Sequence, residues 1–147
     1  MKVAILGATG WVGTRLVDEG LMRGHAVTAI ARSAGDMAPR DRLVPVAHDI
    51  AGADALADHL GGHDAVIHSA RAPRYHADRM GATKAMAGTI IAVTKQAGIR
   101  SHLAVGGAKM LFDENGFSHI SLEDYAIAML DEMENPQHAW QKFTVGY

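Results

Sequence analysis

Short apolar runs alternate with longer amphipathic stretches along this chain, and glycine marks most of the junctions. The first run, VAIL at residues 3–6, is continuously apolar and stops at Gly7, as expected of a strand buried on both faces. Residues 11–23 place apolar side chains at Val12, Leu16 and Met22 with Arg15, Asp18 and Glu19 opposite, which predicts a helix, and Gly24 ends it. AVTAIA at residues 26–31 predicts the next strand, and residues 42–47 a third. The punctuation then recurs. A helix over 53–60 ends at Gly61-Gly62 and leads into a strand over 64–68, and a helix over 80–97 ends at Gly98 and leads into a strand over 102–105. Repeated helix–glycine–strand units predict right-handed crossovers and a parallel sheet with helices on both faces.

The last part reads differently. Leu111, Phe112 and residues 117–120 flank an Asn115-Gly116 turn signal and predict a hairpin. Ser121 with Asp124 resembles a capping box opening a helix on which Tyr125, Met129 and Met133 recur every four residues. Pro136 lies beyond that helix, and residues 142–145 predict a final short strand. The pattern shows no repeat and no low-complexity linker, and 147 residues make a single domain the expectation.

Composition narrows the classes. Apolar residues make up 48% and charged residues 20%, as in an ordinary globular protein. A net charge of −2 and a pI near 6.5 give no basic face for nucleic acid and no anchor for an anionic membrane. The run after Lys2 is too short for a signal peptide, and no stretch approaches the roughly 18 apolar residues of a membrane span. The absence of cysteine excludes disulfides, thiolate metal sites and thiol nucleophiles, and fits a cytoplasmic setting.

The strongest chemical signal lies between the first strand and the first helix, in Gly7-Ala8-Thr9-Gly10-Trp11-Val12-Gly13. A dinucleotide pyrophosphate binds at this place in such folds. The first glycine permits the turn, the second admits the phosphate, the third lets helix and strand pack closely, and the helix N-terminus offers free N–H groups. The spacing is GxxGxxG rather than GxGxxG; its strand–turn–helix context gives it weight, the bland alternative being a plain tight turn. The second strand ends in Arg32-Ser33 with no acid to bind ribose hydroxyls. A guanidinium and a hydroxyl there suit a 2′-phosphate, which favours NADP(H) over NAD(H); the alternative is a solvated surface arginine.

Other candidates carry less. Arg71, Arg74, Tyr75 and His76 follow the fourth strand and could face a substrate, although a solvated polar loop is the simpler reading. His59 and His63 have helical spacing, but Gly61-Gly62 interrupts the helix, so no metal site is expected. His25 and His63 each enter a strand and read as structural, and Met110, Met129 and Met133 as core fillers. No Ser–His–Asp or Gly-x-Ser-x-Gly arrangement occurs.

With GATGWVG, ARS, HDI and the tail HISLEDYAIAMLDEMENPQHAWQKFTVGY, the chain resembles the atypical short-chain dehydrogenase/reductase superfamily, in its small NAD(P)H-binding, flavin-reductase-like branch. The resemblance implies a Rossmann-like, doubly wound parallel sheet of order 3-2-1-4-5 in three α/β/α layers. The dinucleotide-binding core would span 1–108, and a shortened hairpin, helix and strand 109–147. It further implies that Thr9, Gly10, Trp11 and Val12 line the pyrophosphate and Arg32 meets the 2′-phosphate. Asp49 and Ile50 would flank the adenine, Ser69 and Ala70 the nicotinamide ribose, and Gly106 and Gly107 the nicotinamide. Members of the branch carry a longer insertion after the fifth strand, with a further helix-and-strand unit and part of the substrate pocket. This chain passes almost directly from that strand to the hairpin. Strand five would then be an exposed edge, to be covered by residues 142–145 or by a second subunit.

The Tyr-x-x-x-Lys pair of the superfamily's familiar dehydrogenases is absent. Tyr75 is followed four residues on by Arg79 and Tyr125 by Met129, and glycine replaces the serine after strand five. Hydride transfer to a flavin-like or quinonoid acceptor needs no such acid, because solvent can supply the proton. The expected activity is therefore NAD(P)H-dependent reduction of a small molecule of that class. The competing readings are a non-catalytic NADP(H) sensor, and a remnant that folds only as an oligomer.

Overall fold

The structure, a computed structural model, describes residues 1–73, 75–105 and 120–138. Within them the expected strands and helices are all present, with ends shifted by at most one residue: β1 (Lys2–Leu6), α1 (Trp11–Met22), β2 (Ala26–Ala31), β3 (Leu43–Ala47), α2 (Ala53–Leu60), β4 (Ala65–His68), α3 (Arg79–Gln96), β5 (Ser101–Ala104) and α4 (Leu122–Glu134). A short 3-10 turn over Ala34–Asp36 follows β2. The expected hairpin strands, the strand over 142–145, Met110, Gly106, Gly107 and Arg74 lie outside the described residues.

The strands form one parallel sheet of order β3-β2-β1-β4-β5, a Rossmann-like α/β fold. Register runs evenly from edge to edge, with Leu6 opposite both Ile30 and His68, Ala31 opposite Ala47, and His68 opposite Ala104. The carboxyl ends of all five strands therefore lie along one margin, where open α/β sheets hold their ligands.

Alternate strand residues feed two cores, as the two-residue repeat of a strand requires. Val3, Ile5, Val27, Ala29, Ala65 and Ile67 pack against α1 and α4, while Ala4, Leu6, Ile30 and Val66 pack against α2 and α3. The buried stripe of α1 is Gly13, Leu16, Val17 and Gly20. Met22, expected on that face, is 77% exposed, because it lies two positions beyond the stripe and points away from the sheet. Met129 and Met133 are buried as expected.

Helix α4 begins as its sequence predicts, with the Ser121 hydroxyl accepting the Asp124 N–H at 3.0 Å. It lies beside α1 and parallel to it. Arg15 meets Glu123 near one end at 2.6 Å, and Arg23 meets Asp131 at 2.8 Å and Glu134 at 2.9 Å near the other. Arg23 also holds Glu19 at 2.7 Å. Burial works against its charge, but three carboxylates more than offset this and raise its pKa.

Both histidines read as structural hold two elements together. His25 Nε2 lies 2.7 Å from Glu134 Oε1. His63 Nδ1 lies 3.0 Å from the Leu60 carbonyl, which can only accept, so Nδ1 carries the proton and Nε2 accepts from the Thr28 hydroxyl at 2.7 Å. Burial lowers the pKa of this ring, in keeping with a neutral structural histidine. Among the described residues no three metal-ligating side chains cluster, and no helix is long and apolar enough to cross a membrane.

The Arg23 cluster is the polar latch between α1 and α4. Replacing Arg23 with Met strands its carboxylates and should cost about 2 kcal/mol in urea unfolding. Arg23→Lys, with one point charge for three partners, should recover only part of that loss.

Candidate functional site

The site begins with the turn from β1 into α1. Gly7 sits at φ +82°, a left-handed conformation that a side chain would strain. A Cβ there would also lie 3.0 Å from the Ala70 nitrogen and 3.1 Å from Ser69 Oγ. Gly7 N–H donates to the Ile30 carbonyl, and Ser69 N–H to the Leu6 carbonyl, each at 2.9 Å. The turn is thus gripped from β2 on one side and from the exit of β4 on the other. Gly13 makes the closest approach: a Cβ on it would fall 2.0 Å from the Gly7 carbonyl oxygen. The first turn of α1 lies directly on the glycine turn because nothing projects from position 13.

That closeness shapes a cradle at the start of α1. Gly10 caps α1 without a side-chain hydrogen bond, and the first turn holds no acidic residue. Gly10 N–H is satisfied by the Gly7 carbonyl at 3.0 Å, and Thr14 N–H by the Gly10 carbonyl at 2.9 Å. The N–H groups of Trp11, Val12 and Gly13 between them have no partner among the described residues. Free N–H groups at the positive end of a helix, reached over a surface without side chains, fit a pyrophosphate.

The remaining expected residues lie along the same margin. Arg32 follows β2, is exposed, and has no ion pair among the described residues. Ser33 donates its hydroxyl proton to Thr9 Oγ1 at 2.9 Å, tying the end of β2 to the glycine turn. Asp49 is exposed, with one carboxylate oxygen accepting the Ala51 N–H at 3.1 Å, while Ile50 turns inward to the core under α2 and α3. Ser69 and Ala70 touch the Gly7 turn directly. Trp11 is 85% exposed at the lip of the cradle.

Two arrangements escaped the sequence reading, which named Arg71 as a residue that could face a substrate but not its neighbour Tyr125. Arg71, one residue past Ala70, is exposed on the exit of β4. Tyr125, in the first turns of α4, is half-buried against the core that also receives Val12 and Val105. Burial raises the pKa of this phenol, and the nearby charge of Arg71 acts in the opposite direction. Only the pairing of α1 with α4 brings position 125 to this end of the sheet, and strand periodicity carries no trace of it. The other arrangement is a buried ring beside a half-buried one on adjacent strands, His68 Nδ1 lying 2.8 Å from His102 Nε2. Burial, then the neighbouring ring, pushes His68 down to about 4, and burial lowers His102. The two rings meet only because β4 and β5 are neighbours in register, which the sequence alone does not show.

An open parallel sheet with a glycine cradle at its central strand defines a Rossmann nucleotide-binding protein. Residues 7–139 match the NAD(P)H-binding family, and the chain belongs to it. It is similar to the uncharacterised protein YwnB of Bacillus subtilis, 26% identical over 215 aligned positions that cover 99% of this chain and 98% of YwnB. An alignment so much longer than 147 residues means that YwnB carries an internal stretch without counterpart here. The crystal structure of a candidate epimerase from Bacteroides thetaiotaomicron superposes with a TM-score of 0.84 at 29% identity, covering 99% of this chain and 96% of that one. The oxidoreductase ylbE of Lactococcus lactis shares the fold, with a TM-score of 0.64 at 20% identity over 87% of this chain and 59% of its own. The cofactor class is thus a nicotinamide dinucleotide, and the protein's class is NAD(P)H-binding.

Two outcomes test this geometry. Gly13→Ala must push α1 off the Gly7 carbonyl; it should lower the melting temperature and abolish NADPH binding in a calorimetric titration, whereas Gly88→Ala, with open space around it, should do neither. The histidine pair governs acid stability. A buried ring whose folded pKa is depressed binds its proton more readily when unfolded, so its contribution is whole above 6.5 and is lost as pH falls from 6.5 to about 4. Each unit of that shift is worth about 1.4 kcal/mol. His68→Leu combined with His102→Leu should flatten urea-measured stability across that window.

Proposed function

We propose that this chain is an NADP(H)-dependent reductase that passes hydride to a flavin-like or quinonoid acceptor. The observation that carries the cofactor half is the cradle: Gly13 pressed on the Gly7 carbonyl, with the N–H groups of Trp11, Val12 and Gly13 above it unpaired among the described residues. In this reading those groups and Gly10 hold the pyrophosphate, with Thr9 positioned by Ser33. Arg32 receives the 2′-phosphate, with no acid beside it to repel that group. Ser33 serves the 2′-phosphate only after releasing Thr9, so Arg32 is the main determinant. Asp49 and Ile50 border the adenine. Ser69 and Ala70 adjoin the nicotinamide ribose, and Gly106 and Gly107 the nicotinamide.

Bound NADPH supplies the hydride. The chain's own residues bind, orient and exclude water, and a proton from solvent completes the reduction where no Tyr-x-x-x-Lys pair exists. A second reading, an NADP(H) sensor without turnover, is favoured by that missing pair and by the internal stretch that YwnB has and this chain lacks. Turnover separates them: a sensor binds NADPH and leaves it unconsumed in the presence of flavins and quinones.

Trp11 provides the first measurement. With Trp140→Phe removing the other indole, its fluorescence should saturate with NADPH at lower concentration than with NADH. Arg32→Asp should reverse that order by rejecting the 2′-phosphate and accepting ribose hydroxyls. An unchanged ratio in this variant would remove the NADP(H) preference, and no saturation by either nucleotide would remove the reductase reading.

A further inference from the structure

Arg71 follows the strand end beside the cradle, and Tyr125 lies on the helix packed against α1. Neither the guanidinium nor the phenol has a hydrogen-bond or ion-pair partner among the described residues. Arg71 leaves β4 immediately after Ala70, whose nitrogen is against the Gly7 turn. Tyr125 arrives from the opposite element: the Arg15–Glu123 pair holds the first turn of α4 beside that of α1, and the phenol ring packs into the core shared with Val12. Arg71 thus follows the carboxyl end of β4, close enough to Tyr125 for its charge to act on the half-buried phenol.

We propose that Arg71 and Tyr125 form the acceptor side of this site, the guanidinium facing and the phenol hydrogen-bonding the negative charge that a planar conjugated acceptor gains on reduction. This rests on the reductase reading and adds the part it lacks, a reason for the acceptor class. Transfer breaks the C–H bond of the dihydronicotinamide, carries the hydrogen and both bonding electrons to the acceptor ring, and leaves the nicotinamide cationic and the acceptor anionic. Water then supplies a proton to that anion. Arg71 stabilises a charge that appears only as the reaction proceeds, which is the condition for accelerating it. Tyr125 keeps its proton: burial disfavours the phenolate, so the group donates a hydrogen bond throughout.

The test uses equilibrium binding and needs no turnover. Riboflavin, oxidised and then dithionite-reduced above neutral pH so that the reduced form is an anion, is titrated anaerobically into the wild type, Arg71→Met and Tyr125→Phe, with NADPH titrated separately. The wild type should bind the reduced anion about tenfold more tightly than the oxidised form, the worth of one charge-assisted hydrogen bond. Arg71→Met should bind both forms alike, and Tyr125→Phe should lose part of the preference. A wild type without preference, or an Arg71→Met protein that keeps it in full, overturns the proposal. Failure of the cofactor reading looks different: none of the three proteins would bind NADPH, whatever their response to riboflavin.

Discussion

Everything at the functional end of this protein depends on how closely one helix can approach one turn. The missing side chain at Gly13 lets α1 settle on the Gly7 carbonyl, and Gly7 itself accepts a backbone conformation that other residues resist. From that contact the direction of α1 follows, and so does the exposure of its first N–H groups. Its Leu16 and Val17 reach the sheet on one flank, and its Arg15 and Arg23 fix α4 on the other. Tyr125 owes its place to the same chain of contacts. A single volume constraint thus organises the nucleotide cradle and the surface next to it.

The fold was legible because its signals are local. Continuous apolar runs such as VAIL and AVI, with glycines nearby, contain enough to place strands and helices, and parallel connection follows from their alternation. Met22 shows the limit of periodicity. It fits a loose apolar count, but the face that buries is set by Gly13 and Gly20, which no hydrophobicity count weighs. In α1, closeness to the sheet mattered more than greasiness.

The site was legible in the part that is contiguous in sequence. Gly7, Gly10 and Gly13 sit in seven consecutive residues, and Gly13 lies against the Gly7 carbonyl. Residues that meet only across the fold were not readable. His68 and His102 lie 34 positions apart and touch because β4 and β5 are neighbours in register. Arg71 and Tyr125 come together through two successive packing relations, β4 against β1 and α4 against α1. Sequence spacing holds no record of either.

The two margins of the sheet differ in kind. At one, β3 carries Pro45, which denies a neighbouring strand a hydrogen-bond donor, and a charged Arg40-Asp41-Arg42 segment leads into it. At the other, β5 (SHLA) has neither proline nor formal charge. The cradle belongs to β1, in the middle, two strands from each margin. Material can therefore be gained or lost beyond β5 across a lineage without disturbing the nucleotide end. A glycine turn of one design can then serve both this chain and a relative such as YwnB with its longer interior, the central strand acting as the inherited part.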